Sequence, residues 1–135
     1  MKKVISLLLV VSMLFSFAIT SFAGGIGEND VLRFRRNGTF KILVLADVQD
    51  VYPIDDAMVA FINEALDYSK PDLVVFTGDQ VKGYGFNLMG GDNKKKVAEC
   101  INKFLTPLDE TGVPFTFVFG NHDDQAFSIS KKEQL

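Results

Sequence analysis

Three short runs of this chain are almost wholly apolar, and two longer stretches repeat apolar residues at helical spacing. The strand-like runs are Thr39 to Ala46, Leu73 to Thr77, and Phe115 to Phe119. Runs this apolar suit strands covered on both faces, and the spacing predicts a central position for the first of them. Between the first two, Met58, Phe61, Ile62, Ala65 and Leu66 form one helical stripe, with Asp55 as N-cap and Lys70-Pro71 as stop. Between the second and third, Val97, Ile101, Phe104, Leu105 and Leu108 form another, ended by Gly112-Val113-Pro114. Upstream, Val31 to Arg35 alternates apolar and basic residues before Asn37-Gly38. Asn-Gly between two strand-like runs predicts a β-hairpin, because both residues accept positive φ. Gly78 to Asn93 reads as a long glycine-rich loop, and Gln125 to Leu135 as loop or weak helix.

The order is hairpin, β, α, β, α, β, which predicts an α/β fold with parallel strands and right-handed crossovers. Parallel strands bring their carboxyl ends to one sheet edge, where open α/β sheets bind ligands. The three runs are followed there by Asp47-Val48-Gln49-Asp50, Gly78-Asp79-Gln80 and Gly120-Asn121-His122-Asp123. Any one of these clusters alone reads more readily as turn or cap chemistry. All three at corresponding positions form a set of oxygen and nitrogen donors suited to Mn, Fe, Zn or Mg. An aspartate can bridge two such cations, and a cation pair can clamp a phosphoryl group.

Composition narrows the setting. Met1-Lys2-Lys3, the apolar stretch Val4 to Ile19 and the small residues Ser21 and Ala23 read as a signal peptide over residues 1–23, cleaved after Ala23. That implies a secreted or cell-envelope protein with no stable membrane anchor after cleavage. Residues 24–135 would keep twelve basic side chains against seventeen acidic ones, a net charge of −5. Charge therefore argues against nucleic-acid binding. Cys100 is the only cysteine, which excludes an intrachain disulfide, and its place within the second predicted helix favours a buried or half-buried structural thiol.

The ordered trio resembles the calcineurin-like metallophosphoesterases, whose pattern runs Asp-x-His, Gly-Asp, Gly-Asn-His-Asp/Glu. The wider strings around Gly78-Asp79-Gln80 and Gly120-Asn121-His122-Asp123 look most like the branch related to purple acid phosphatases. The resemblance implies two divalent or trivalent metal ions (Fe, Mn or Zn), with Asp47 on the first, Asp79 bridging, and Asn121 on the second. His122 would be a general acid facing a phosphoester substrate, oriented by Asp123, and hydrolysis would use a metal-activated water. Gln49 stands where the family carries histidine, and its amide oxygen is a harder, weaker donor. Lys82 stands where the purple enzymes carry tyrosine, so their colour is not expected.

His122 is the only histidine, so the downstream histidines of the family pattern have no counterpart here. The expectation is the N-terminal half of a two-sheet metallophosphoesterase sandwich, incomplete over residues 24–135, with apolar surface left open and catalysis belonging to a longer parent. The competing reading is a non-catalytic α/β module that binds a metal, a phosphate or a protein partner. A nucleotide-binding module fails because Gly83-Tyr84-Gly85 lacks the phosphate-loop pattern, and a serine hydrolase fails for want of Gly-x-Ser-x-Gly.

Overall fold

The computed structural model describes residues 31–126 and 129–134, so the expected signal peptide lies outside the described residues. Strands β1 (Ile42–Leu45), β2 (Leu73–Phe76) and β3 (Phe115–Phe117) form a parallel sheet in the order β1-β2-β3. Helices α1 (Asp56–Ser69) and α2 (Asn93–Thr111) connect them. This is the mixed α/β arrangement expected of part of a metallophosphoesterase domain.

Local signals end the helices where the sequence predicts. The Asp55 carboxylate accepts from the N–H of Ala57, and Lys70 closes α1 in the left-handed region at φ 45°. Asp92 caps α2 by accepting from the N–H of Lys95, and Gly112 terminates it at φ 67°.

Packing follows the strand register. Leu45 pairs with Phe76 and Phe76 with Phe117, so these side chains share one face of the sheet. Leu45, Val74 and Phe76 are buried there with Ile62, Leu66, Val97, Phe104 and Leu108 of the helices. The Phe76 and Phe104 rings meet at 5.3 Å and 57°. Cys100 is buried in the same cluster, and desolvation, helped by Glu99 and Asp50, pushes its thiol up to about 11. At pH 8 the native thiol is expected to react with a disulfide reagent at least about a hundredfold more slowly than in urea. Equal rates in the two states would show that this helix face is open.

Two expectations about the first strand need correction. β1 is an edge strand, not a central one, and its other face is uncovered: Ile42 is 54% and Val44 58% exposed. Val118, just beyond β3, is 59% exposed. An all-apolar run shows that a strand can be covered on both faces, but which face the helices take depends on where its neighbours lie.

The hairpin is also absent. Asn37-Gly38 does turn, with Gly38 at φ 76°, the Gly38 N–H on the Arg35 carbonyl and the Arg35 N–H on the Thr39 carbonyl. No strand forms over 31–35. Val31 and Phe34 are 69% and 74% exposed, so the alternating residues bury almost nothing. A hairpin without such burial is marginal in water. The Arg35 guanidinium instead reaches across to Asp72, 2.8 Å away, and to the Lys70 carbonyl.

Candidate metal centre

Beyond the strands, hydrogen bonds continue to tie the carboxyl ends together. The Asp47 N–H donates to the Gly78 carbonyl at 3.2 Å, and the Gln49 N–H to the Asp79 carbonyl at 3.0 Å. On the other side, Asp79 Oδ1 accepts from the N–H of His122 at 2.9 Å. The three clusters therefore do meet at one sheet edge, with Asp79 in the middle.

That meeting needs unusual backbone. Asp47 and Asp79 both occupy the left-handed region, at φ 54° and 55°. Aspartate tolerates this better than most residues, yet such conformations cost free energy and gather at functional sites. Gly78 lies at φ 117°, a value side chains rarely adopt. Gly120 is required by proximity: a Cβ there would stand 2.0 Å from Asp79 Oδ1 and 2.5 Å from the Asp79 nitrogen.

The polar side chains at this edge divide into two groups. Asp50 turns the chain, accepting from the N–H groups of Val51 and Asp55. Gln80 is buried and donates to the Val118 carbonyl, while its own Oε1 has no donor among the described residues. The Asp47 carboxylate has no hydrogen-bond partner among the described residues, and Gln49 Oε1 is buried without a donor. A buried carbonyl oxygen with no donor is costly, and a cation would relieve it. By donor type, Asp47, Gln49, Asp79 and Asn121 offer the oxygens that a hard cation takes. Among the described residues no group of three or more His, Cys, Asp or Glu side chains could hold a metal. Any cation here would depend on the two amides beside the two aspartates.

Asp123 does not do what the resemblance implies. Its carboxylate is fully buried, and it accepts three backbone N–H groups: Val81 on Oδ1 at 2.8 Å, and Asp79 and Gly120 on Oδ2 at 2.9 and 2.8 Å. It clamps the second strand-end loop to the third and makes no hydrogen bond with the His122 ring. That ring meets Gln125 Oε1 at 2.8 Å through Nδ1, with Asn121 Nδ2 3.2 Å from the same nitrogen. Tyr84 packs on the imidazole with centroids 4.5 Å apart, and Lys82 lies over the far ring, 5.4 Å from its centroid. Gly83 lets this loop close in, since a Cβ there would be 2.3 Å from the His122 carbonyl oxygen. Gln134 returns from the C-terminal segment and donates to the Asp123 carbonyl at 2.8 Å. Sequence reasoning missed Gln125, Tyr84 and Gln134. The spacing of Gln125 three residues after His122 was the one available signal.

The family model described as calcineurin-like phosphoesterase matches residues 40–135, the stretch that builds the sheet, both helices and this edge. The chain belongs to that family. Among the relatives of this calcineurin-like phosphoesterase chain is a probable inactive purple acid phosphatase (number 28) of Arabidopsis thaliana, 32% identical over 111 residues, which are 70% of this chain and 26% of the relative. Phosphatase DCR2 of Saccharomyces cerevisiae is 35% identical over 103 residues, 65% of this chain and 17% of the relative. An uncharacterized protein of Schizosaccharomyces pombe is 34% identical over 112 residues, 70% of this chain and 20% of the relative. The chain thus spans about a sixth to a quarter of the length of the curated relatives it matches. No solved structure matches it significantly. Family membership supports a phosphoesterase-type function in general terms.

Proposed function

We propose that this chain carries the strand-end part of a metal-dependent phosphoester-hydrolysing centre in an exported protein. The observation that carries the reading is the pair of left-handed aspartates, Asp47 and Asp79, beside a buried Gln49 Oε1 with no donor among the described residues. Asp47, Gln49, Asp79 and Asn121 would hold the cations, with Asp79 between them. When bound, such cations draw charge from phosphoryl oxygens and activate water for in-line attack. The chain's own part in the reaction is to orient and to move a proton. Asp79 Oδ1 fixes the His122 backbone beside the ligand set. The His122 imidazolium gives its Nε2 proton to the leaving oxygen as the phosphorus–oxygen bond breaks. Asp123 supports this from a distance by holding the two loops in register. Export is proposed from the signal-peptide pattern of residues 1–23.

A second reading has an observation of its own. Relatives at this level of identity include proteins named as probable inactive purple acid phosphatases. On that reading the same edge binds a metal or a phosphate without turning over. A panel of phosphomonoesters and phosphodiesters, assayed on the full-length protein with Mn²⁺, Fe²⁺ or Zn²⁺ and with chelator, separates the two. Hydrolysis that needs metal and is lost in His122→Ala is the expected result. Saturable metal binding with no hydrolysis of any panel member would favour the binding module and remove the catalytic reading.

A further inference from the structure

With Asp123 committed to three backbone N–H groups, the His122 ring depends on another residue for its orientation. Gln125 ends the single 3-10 turn Asp123–Gln125, and its N–H donates to the His122 carbonyl at 3.1 Å. In 3-10 geometry residues three apart stand one above the other, so this turn sets the Gln125 side chain beside the imidazole. Gln125 Oε1 lies 2.8 Å from Nδ1.

We propose that Gln125 is the positioning residue for His122, its Oε1 keeping a proton on Nδ1 and so reserving Nε2 for the reacting oxygen. An amide oxygen can only accept, so a bond of this length requires an N–H on the imidazole side. Asn121 Nδ2 could donate only to an unprotonated Nδ1, and it stands farther away at 3.2 Å. The two arrangements exclude each other, and the shorter contact decides for Nδ1–H. Tyr84, 4.5 Å away by centroids, covers the ring and hinders its rotation out of this bond. Nε2 has no hydrogen-bond partner among the described residues.

The proton balance follows from that tautomer. The imidazolium carries hydrogens on both nitrogens. Transfer of the Nε2 proton to the leaving oxygen yields the neutral ring with hydrogen on Nδ1, the form that Oε1 stabilises. Reprotonation then occurs at Nε2, and the ring never has to exchange its tautomer. The neutral amide achieves this without adding a charge beside the phosphoester.

This inference rests on reading His122 as the general acid, but its test does not require turnover. His122 is the only imidazole in the chain, so its ring nitrogens give one unambiguous set of ¹⁵N signals. The untagged, metal-free chain is recorded at rising pH until the ring signals stop changing, so that the neutral ring is the form observed. The Nδ1–H form is expected in at least about fivefold excess over Nε2–H, because the partner of one ring nitrogen sets the tautomer. Gln125→Leu should bring that ratio to one or below, and Gln125→Glu, which retains an acceptor oxygen, should restore the excess. Gln125 is exposed, so each variant should keep the backbone amide fingerprint of the parent. Predominant Nε2–H in the parent, or an unchanged ratio in Gln125→Leu, overturns the proposal. If the ratios behave as expected while no phosphoester is hydrolysed, the catalytic reading falls and the positioning role stands.

Discussion

Asp123→Ala is expected to lower the unfolding free energy by about 3–5 kcal/mol, a large part of what holds a small domain together. The carboxylate is fully buried and is the shared acceptor for the N–H groups of Asp79, Val81 and Gly120. Truncation strands those donors between two loops, and each unsatisfied buried donor costs about 1–3 kcal/mol. It also releases Gly78-Asp79 from Gly120-Asn121, so the candidate site should come apart with the fold. Asp123→Asn is the graded control. Its amide oxygen can still serve Asp79 and Gly120, while its NH₂ would face the Val81 N–H, and an intermediate loss of about 1–3 kcal/mol should follow. Urea unfolding followed by circular dichroism gives both values. A loss below about 1 kcal/mol in Asp123→Ala would mean that the three N–H groups find other acceptors.

Asp79→Asn should do the reverse, sparing the fold and removing the site. Asparagine shares the tolerance of aspartate for the left-handed backbone that Asp79 adopts at φ 55°. It can also still accept from the His122 N–H, the one side-chain hydrogen bond Asp79 makes among the described residues. What it loses is the charge and one carboxylate oxygen. Changes to groups that merely support metal ligands already weaken affinity by about 10–100-fold, so if Asp79 holds a cation as proposed, its loss should exceed about a hundredfold. Titration with Mn²⁺ measures this, and the unfolding midpoint should stay close to that of the parent. Asp50→Asn is the matched control. Asp50 sits in the same strand-end region but spends its oxygens on the N–H groups of Val51 and Asp55. Its substitution should leave metal affinity within about twofold, since neither of its side-chain oxygens is hydrogen-bonded to a candidate ligand. Equal losses in the two variants would point to the net charge of the edge rather than to coordination by Asp79.

Much of this architecture was legible in the chain because local signals carried it. Apolar runs located the strands, helical stripes and caps located α1 and α2, and the parallel topology brought Asp47, Asp79 and Asn121 to one edge. The legible signals failed where the outcome depended on what lies alongside. Val31 to Arg35 has a strand's alternation and a good turn, yet nothing covers Val31 or Phe34, so the alternation yields no packing energy. Ile42 and Val44 look like core residues and face outward, because the helices take the other side of the sheet.

The same boundary runs through the site. By itself the sequence determined the donor types, their order and the edge they share, since strand direction and the two-residue side-chain period settle those locally. Tertiary structure alone decided how the donors are used. It sent the Asp123 carboxylate inward to three N–H groups and set Gln125 against His122. It closed the Lys82–Tyr84 loop over the imidazole and left Gln49 Oε1 buried without a donor among the described residues. A carboxylate's role follows from which donors reach it first. Here two of the three donors, Asp79 and Val81, come from a loop more than forty residues away in the chain.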